Sequence, residues 1–351
     1  MKKLGKLWMS ALLALAAVTV LAVFAAPAMA ATYTASGATF PAPLYQKWAS
    51  DYASTGTQIN YTGVGSGAGQ AAIKAGTVDF AGSDQPLTKG QLTAAGLVQF
   101  PGTIGGVVPI VNISGVGSGK LRLTGPVLAK IFIGDITMWN SKQIKALNPG
   151  VSLPASAITV VHRSDSSGTS WIFTNYLGLM LPEWRGGPGI STAPAWTAGV
   201  GAKGSDGVAA LVKATPNSIG YVEYAYAKQN AIPWVQLKNR TGKWVQPNLV
   251  TFAAAASQAV WSSRNGFYTL LVNQKGAKAW PITGATWILM KKNQKSQADG
   301  NAILKFFNWA YTSGKADATS LAYVSIPKPV VAMIKAFWMK NITANGTPCW
   351  P

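Results

Sequence analysis

The chain has 351 residues, 48% of them hydrophobic, with 30 Lys and Arg against 10 Asp and Glu, one His and one Cys. That apolar content over that length excludes a disordered protein and supports a large core in one domain or two. The single His162 and single Cys349 exclude a His-rich zinc site and an internal disulfide, and any Ser-His-Asp triad would have to use His162.

Residues 1–30 read as a secretory signal: Lys2, Lys3 and Lys6, an uncharged stretch from about Leu7, then the small-x-small site Ala28-Met29-Ala30. The stretch is nearly long enough to span a bilayer, but its alanine content, Pro27 and the Ala-x-Ala end favour cleavage near Ala31. No cysteine lies near the cut to accept a lipid, and Cys349 is expected to be a tolerated residue in a frayed tail. In TFPAPLYQKWASDYA (39–53), Leu44, Trp48 and Tyr52 share a helical face behind prolines that suit a helix entry. Gln58 to Thr62 predicts a strand, followed by a glycine-rich turn and a helix from Ser66 that Gly76 stops. VDFAGSDQPL predicts a second strand ending in a polar turn. Further buried strands are expected in GVVPIVNI (106–113), ITVVHR (158–163), SIGYVEYAYA (218–227) and ATWILM (285–290). Helical faces follow from Phe173, Tyr176, Leu177 and Met180, from Ile303, Phe306, Phe307 and Ala310, and from Val330, Ile334, Phe337 and Trp338. Strand, polar loop and helix recur, which defines an α/β protein whose ligands belong at the carboxyl ends of its strands.

Three loops stand before predicted helices and combine hydroxyls with free amides: Ala38-Thr39-Phe40-Pro41, Gly65-Ser66-Gly67 and Ser167-Gly168-Thr169-Ser170. Helix N-termini attract anions, so three that converge would form an oxyanion cage, although each taken singly is better explained as an ordinary N-cap. The third follows Arg163, whose planar fork suits tetrahedral oxyanions, and Asp165, which can hold that fork. GVGSGK (115–120) resembles a P-loop, but Ser114 and Leu121 stand where Gly and Ser or Thr are needed, so a surface turn is expected. GVGSGAG (63–69) has the wrong spacing for a dinucleotide fingerprint and suits a smaller anion.

Without the three signal lysines, 27 basic groups face 10 acidic ones, a net +17. The bases are scattered, with no run longer than Lys291-Lys292, and no nucleic-acid motif accompanies them, so no nucleic-acid partner is expected. The chain is better described as depleted in carboxylates, which suits an acidic exterior compartment because fewer groups take up protons as pH falls.

The runs SGATFPAPLYQKW, YTGVGSGAG, VDFAGSDQPL, FPGTIGGVV, VVHRSDSSGTSWIFTNYL, SIGYVEYAYAKQN and NQKGAKAWPITGATWIL resemble, in the same order, the periplasmic phosphate-binding proteins of high-affinity phosphate ABC importers. The resemblance spans about Ser36 to Ile342 and implies an α/β, two-domain venus-flytrap fold. Crossings would lie near 104–108 and 281–286, with one domain made of 31–104 plus 285–351 and the other of 105–284. It implies a periplasmic monomer without metal or cofactor that binds inorganic phosphate and serves an inner-membrane permease and ATPase complex. Carried onto this sequence, the phosphate contacts fall on Thr39, Phe40, Ser66, Asp84, Arg163, Asp165, Ser167, Gly168 and Thr169. Phe40 and Gly168 would donate backbone amides, and Thr39, Ser66, Ser167 and Thr169 hydroxyls; Arg163 would pair with the anion and Asp165 would orient Arg163. Asp84, if ionised, can only accept, so it would favour a protonated phosphate over sulfate. Affinity is then expected to hold on acidification until Asp84 or Asp165 titrates. Departures from the family pattern at Gly67, Ala68, Ser164 and Ser166 leave those nine positions intact. His162 would add positive charge below about pH 6.5, and is expected to be a strand-end residue with no ligand role. Two other classes stay open on residues alone: an exported phosphatase with Ser167 or Ser66 as nucleophile, and a cationic surface or nucleic-acid binder. The shortage of carboxylates predicts that denaturation midpoints followed from pH 8 to pH 4 will show no acid collapse; a maximum near pH 8 with unfolding by pH 4 would contradict it.

Overall fold

Apolar runs bounded by glycine and polar turns build one eight-stranded sheet in this computed structural model, which describes residues 31–351; the expected signal segment lies outside the described residues. The strands are β1 (Ala31–Gly37), β2 (Thr57–Gly63), β3 (Phe80–Ser83), β4 (Leu97–Asn112), β5 (Thr159–Arg163), β6 (Val200–Ala202), β7 (Ser218–Glu223) and β8 (Thr283–Lys291). They lie in the order β2-β1-β3-β8-β4-β7-β5-β6, and Thr32–Pro351 forms one compact unit. β1 runs parallel to β3, and β5 runs parallel to both β6 and β7, while β8 is antiparallel to its neighbours β3 and β4.

β4 joins the two halves. Its residues up to Gly106 pair with β8, and from Val107 onward they pair with β7. It starts nine residues before the predicted 106–113 strand, in LVQFPGTIG, whose proline and glycines read as loop. A register irregularity opposite Thr286 and Trp287 falls where Pro101 and Gly102 lie, which is where a sheet tolerates a residue without an N–H. The 218–227 prediction is corrected at its end: the strand stops at Glu223, whose Oε2 accepts the Ala225 N–H at 2.7 Å and caps a helix.

The helices that matter for the site are α1 (Ala42–Tyr52), α2 (Ser66–Ala75), α3 (Gly168–Met180), α4 (Gly204–Ala214) and α5 (Tyr224–Gln229). α1 buries Leu44, Trp48 and Tyr52, and α2 ends at Gly76 in the left-handed region, both as the spacing predicts. Near the C-terminus, α6 (Gln297–Ala310) and α7 (Lys328–Asn341) bury their predicted faces, with Phe337 only half-buried. Phe80, Phe100, Phe307 and Trp338 meet edge-to-face, with ring centroids 5.1–5.5 Å apart, and knit these helices to the sheet. The 115–120 segment is an exposed turn, as expected.

Cys349 corrects the frayed-tail expectation. It is buried, its N–H bonds Ile342 O at 2.9 Å, and a short hairpin (Thr343–Ala344 with Thr347–Pro348) precedes it. Its sulfur fills the space beside Gly300, where a Cβ would lie 2.6 Å from Sγ. Among the described residues no helix is long and apolar enough to cross a membrane.

The β1–α2–β3 junction depends on close approach of backbones. A Cβ on Gly37 would fall 2.1 Å from Gly82 O, at φ +147°, and one on Gly69 would fall 2.5 Å from Gly37 Cα. Gly37→Ala is therefore expected to lose at least about 2 kcal/mol of stability, whereas Gly90→Ala, in a helix with nothing within 4 Å, should be neutral or slightly stabilising; thermal melts of the two compare them directly.

Candidate functional site

The carboxyl ends of five strands deliver the site. Thr39 and Phe40 link β1 to α1, Ser66 opens α2 after β2, Asp84 leaves β3, and Arg163 ends β5 ahead of α3. Ser205 follows β6 at the start of α4. All nine residues carried over from the family motif are buried except Asp165, which is half-buried.

Direct contacts bring these loops together. Arg163 donates Nε–H to Asp165 Oδ1 at 2.7 Å and Nη2–H to Asp165 Oδ2 at 2.5 Å, and the Gly204 N–H adds a third bond to Oδ1 at 3.0 Å. The bidentate fork leaves Arg163 Nη1 pointing at Thr39 Oγ1, 3.0 Å away. Asp84 N–H donates to Ser66 Oγ at 3.1 Å, and Ser167 Oγ accepts the Ser170 N–H at 3.0 Å as the N-cap of α3. Gly168 touches the first half of the chain: a Cβ there would lie 2.2 Å from Ser66 Oγ and 2.7 Å from Asp84 Oδ2. Gly67 N–H bonds Ser166 O at 3.0 Å and has no room for a side chain beside Ser166 Oγ, which itself donates to Thr192. Gly67 and Ser166, two of the departures from the family pattern, thus pack on each other.

What stays unmatched inside this cluster is informative. Thr169 Oγ1 and Asp84 Oδ2 are buried without a partner, and the Phe40 N–H meets no acceptor among the described residues. The Gly168 N–H, first in its helix, has no intrahelical acceptor either. Buried polar groups are normally satisfied, so a hydroxyl, two amides and one carboxylate oxygen left over at one place describe a mould for a ligand rich in acceptors that also offers one donor.

The carboxylates are held differently. Burial pushes Asp84 up to about 7, against the pull of its Thr286 hydrogen bond and the Arg163 charge. Burial also acts to raise Asp165, but the Arg163 bonds and charge, with the Gly204 amide, outweigh it and hold the group below the usual carboxylate range. Asp84 therefore titrates near neutrality, well above the ordinary carboxylate range. His162 departs from expectation too. Burial lowers its pKa from the ordinary imidazole value, against the opposing pull of the Arg163 carbonyl 3.1 Å from Nδ1, and its ring stacks on Trp196 with centroids 4.7 Å apart, so its charge appears at a lower pH than expected.

Several contributors escape sequence reasoning. Thr286 donates to Asp84 Oδ1 at 2.6 Å from the irregular point of β8. Ser205 Oγ lies 2.9 Å from Thr39 Oγ1 and 3.4 Å from Arg163 Nη1. Tyr226 donates to Thr39 O at 2.6 Å, and Tyr323 Oη lies 2.7 Å from Phe40 O and 2.8 Å from Glu223 Oε2. Glu223 Oε1 has no partner, and burial raises this carboxyl far above its ordinary range. In the sequence Glu223 stands only within an expected strand, and no signal marks it as part of this cluster.

An open α/β sheet with a polar, amide-lined cluster at its strand ends defines a periplasmic-binding-protein type of molecule, and the family model for the PBP superfamily domain matches residues 22–313. The chain belongs, more particularly, to the PstS phosphate-binding protein family. It is 49% identical over 304 residues to phosphate-binding protein PstS of Xylella fastidiosa strain 9a5c, covering 86% of this chain and 84% of the relative. It is 47% identical over 316 residues to PstS of Haemophilus influenzae, covering 90% and 95%. In fold it matches a high-affinity periplasmic phosphate-binding protein solved with phosphate bound, at TM-score 0.74 and 24% identity over 90% of this chain and 96% of that one.

The Asp84 shift has a definite sign. A folded pKa near 7, above the ordinary 3.8, contributes stability that is complete below 3.8 and is lost as pH rises through about 7. In phosphate-free buffer, Asp84→Asn should therefore raise unfolding stability at pH 8, by on the order of 4 kcal/mol for three pK units, and leave it unchanged near pH 3.5. Equal effects at both pH values, by urea denaturation, would refute the assignment.

Proposed function

We propose that the mature chain is an exported substrate-binding protein that captures inorganic phosphate between two lobes and delivers it to an inner-membrane ABC permease and ATPase complex, acting as a monomer and without catalysis. The observation that carries this reading is the buried, unpartnered Asp84 Oδ2 facing an otherwise donor-lined cluster. The lobes are residues 31–104 with 285–351, and residues 105–284. The hinge is the paired segment of β4 and β8 where β4 exchanges β8 for β7. Phosphate oxygens accept from the Phe40 and Gly168 amides, the Thr39, Ser66, Ser167 and Thr169 hydroxyls and Arg163, while Asp165 fixes the guanidinium. Asp84 Oδ2 takes the one proton that phosphate offers.

This arrangement suits holding rather than attack. A serine nucleophile needs a base within hydrogen-bond reach. The sole histidine is occupied by Trp196 and Arg163 O, while the Ser66 and Ser167 oxygens accept backbone N–H bonds.

Sulfate is isosteric with phosphate but carries no proton near neutrality, so an ionised Asp84 rejects it and a neutral Asp84 does not. Calorimetry on the mature protein should show micromolar or tighter phosphate binding at pH 8 with no measurable sulfate binding, and sulfate binding should emerge at pH 5, below the Asp84 value of about 7. Equal binding of the two anions at pH 8 would remove Asp84 from this role.

A further inference from the structure

The peptide unit between Thr39 and Phe40 carries two groups with opposite duties. Its N–H, from Phe40, meets no acceptor among the described residues and is the donor assigned to phosphate above. Its carbonyl, from Thr39, accepts the Tyr226 hydroxyl at 2.6 Å in a fully buried bond, and also the Ala42 N–H at 3.1 Å. The two groups share one rigid plane, so fixing the carbonyl fixes the direction of the N–H. A hydrogen bond accepted at the carbonyl also polarises the unit and strengthens its N–H as a donor.

Tyr226 reaches this carbonyl from far away. It sits on α5, directly after β7, 187 residues along the chain from Thr39, and so on the 105–284 side of the β4 partner exchange. Burial keeps the Tyr226 phenol protonated at any accessible pH, so it is always a donor. The neighbouring side chain repeats the pattern, since Thr39 Oγ1 meets Arg163 and Ser205, both from the same side. Within α5, Tyr224 lacks this role: its ring packs against Trp234 and Phe252.

We infer that Tyr226 is a positioning residue for phosphate capture, aiming and strengthening the Phe40 N–H through the Thr39 carbonyl and latching the two lobes together as it does so. The inference rests on the phosphate reading above. Because the bond spans the lobes, its loss acts mainly on release: a latch that forms on closure slows koff and leaves kon near its original value.

The test uses the full mature protein with inorganic phosphate. Tyr226→Phe keeps the ring and removes only the hydroxyl. It should raise the phosphate Kd about 5- to 30-fold, the range for a lost buried hydrogen bond, with the change in koff. It should also shrink the downfield shift of the Phe40 amide proton that phosphate saturation produces in NMR spectra. Tyr224→Phe on the same helix should leave both unchanged, and thermal melts of the phosphate-free proteins establish that the variants are folded. Wild-type Kd in Tyr226→Phe, or weakened binding with an unaltered Phe40 shift, would overturn the inference. Failure of the wild-type chain to bind phosphate would instead defeat the reading beneath it.

Discussion

The side-by-side pairing of β4 with β8 at Gly105 and Gly106, opposite Gly284 and Thr283, is the constraint on which the rest of the molecule depends. Gly105, Gly106 and Gly284 lie in one ladder and lack side chains because their neighbours need the space. A Cβ on Gly106 would enter the Phe252 ring at 2.1 Å, one on Gly284 would meet Ile172 at 2.2 Å, and one on Gly105 would crowd Phe40 and Glu223 at about 3 Å. The ladder is therefore packed by residues from both sides of the point where β4 exchanges β8 for β7.

Within the cluster the formal charges are one positive and two negative: Arg163, Asp165 and, above about pH 7, Asp84. Asp165 is committed to Arg163 through two bonds, so the guanidinium contributes direction more than net charge. What such a place offers an anion is aligned dipoles, the amides and hydroxyls at three helix starts, more than an excess of cations. The many surface lysines are then free to answer to other demands.

Much of this was legible in the sequence, and the limits have physical causes. Residues on periodic apolar faces, such as Leu44, Trp48 and Tyr52 or Ile303 and Phe307, announce their burial because a single element decides it. The Ser167 to Thr169 loop was readable for the same local reason, a cap written into a helix start. What failed to show were partnerships made across the fold. Thr286 matters because of an irregularity set by Pro101 and Gly102 on another strand, and Tyr226 because of a carbonyl 187 residues away. The strand end at Glu223 and the burial of Cys349 likewise depend on a cap and on a glycine gap that no local pattern marks.

Tyr323 has one hydroxyl proton and lies within bonding distance of two acceptors, Phe40 O and Glu223 Oε2. The network closes without conflict when Glu223 itself carries a proton, passes it towards Tyr323, and lets Tyr323 serve Phe40. With Asp84, that makes two buried carboxyls that hold protons in the native state at pH values where an unfolded chain has released them. Above the ordinary carboxylate range unfolding therefore releases protons that the folded state had kept, so the stability these two groups contribute falls as pH rises. The scarcity of carboxylates in the sequence and the neutral form favoured for these two buried carboxyls act in the same direction, since each leaves less proton uptake to accompany unfolding as pH falls.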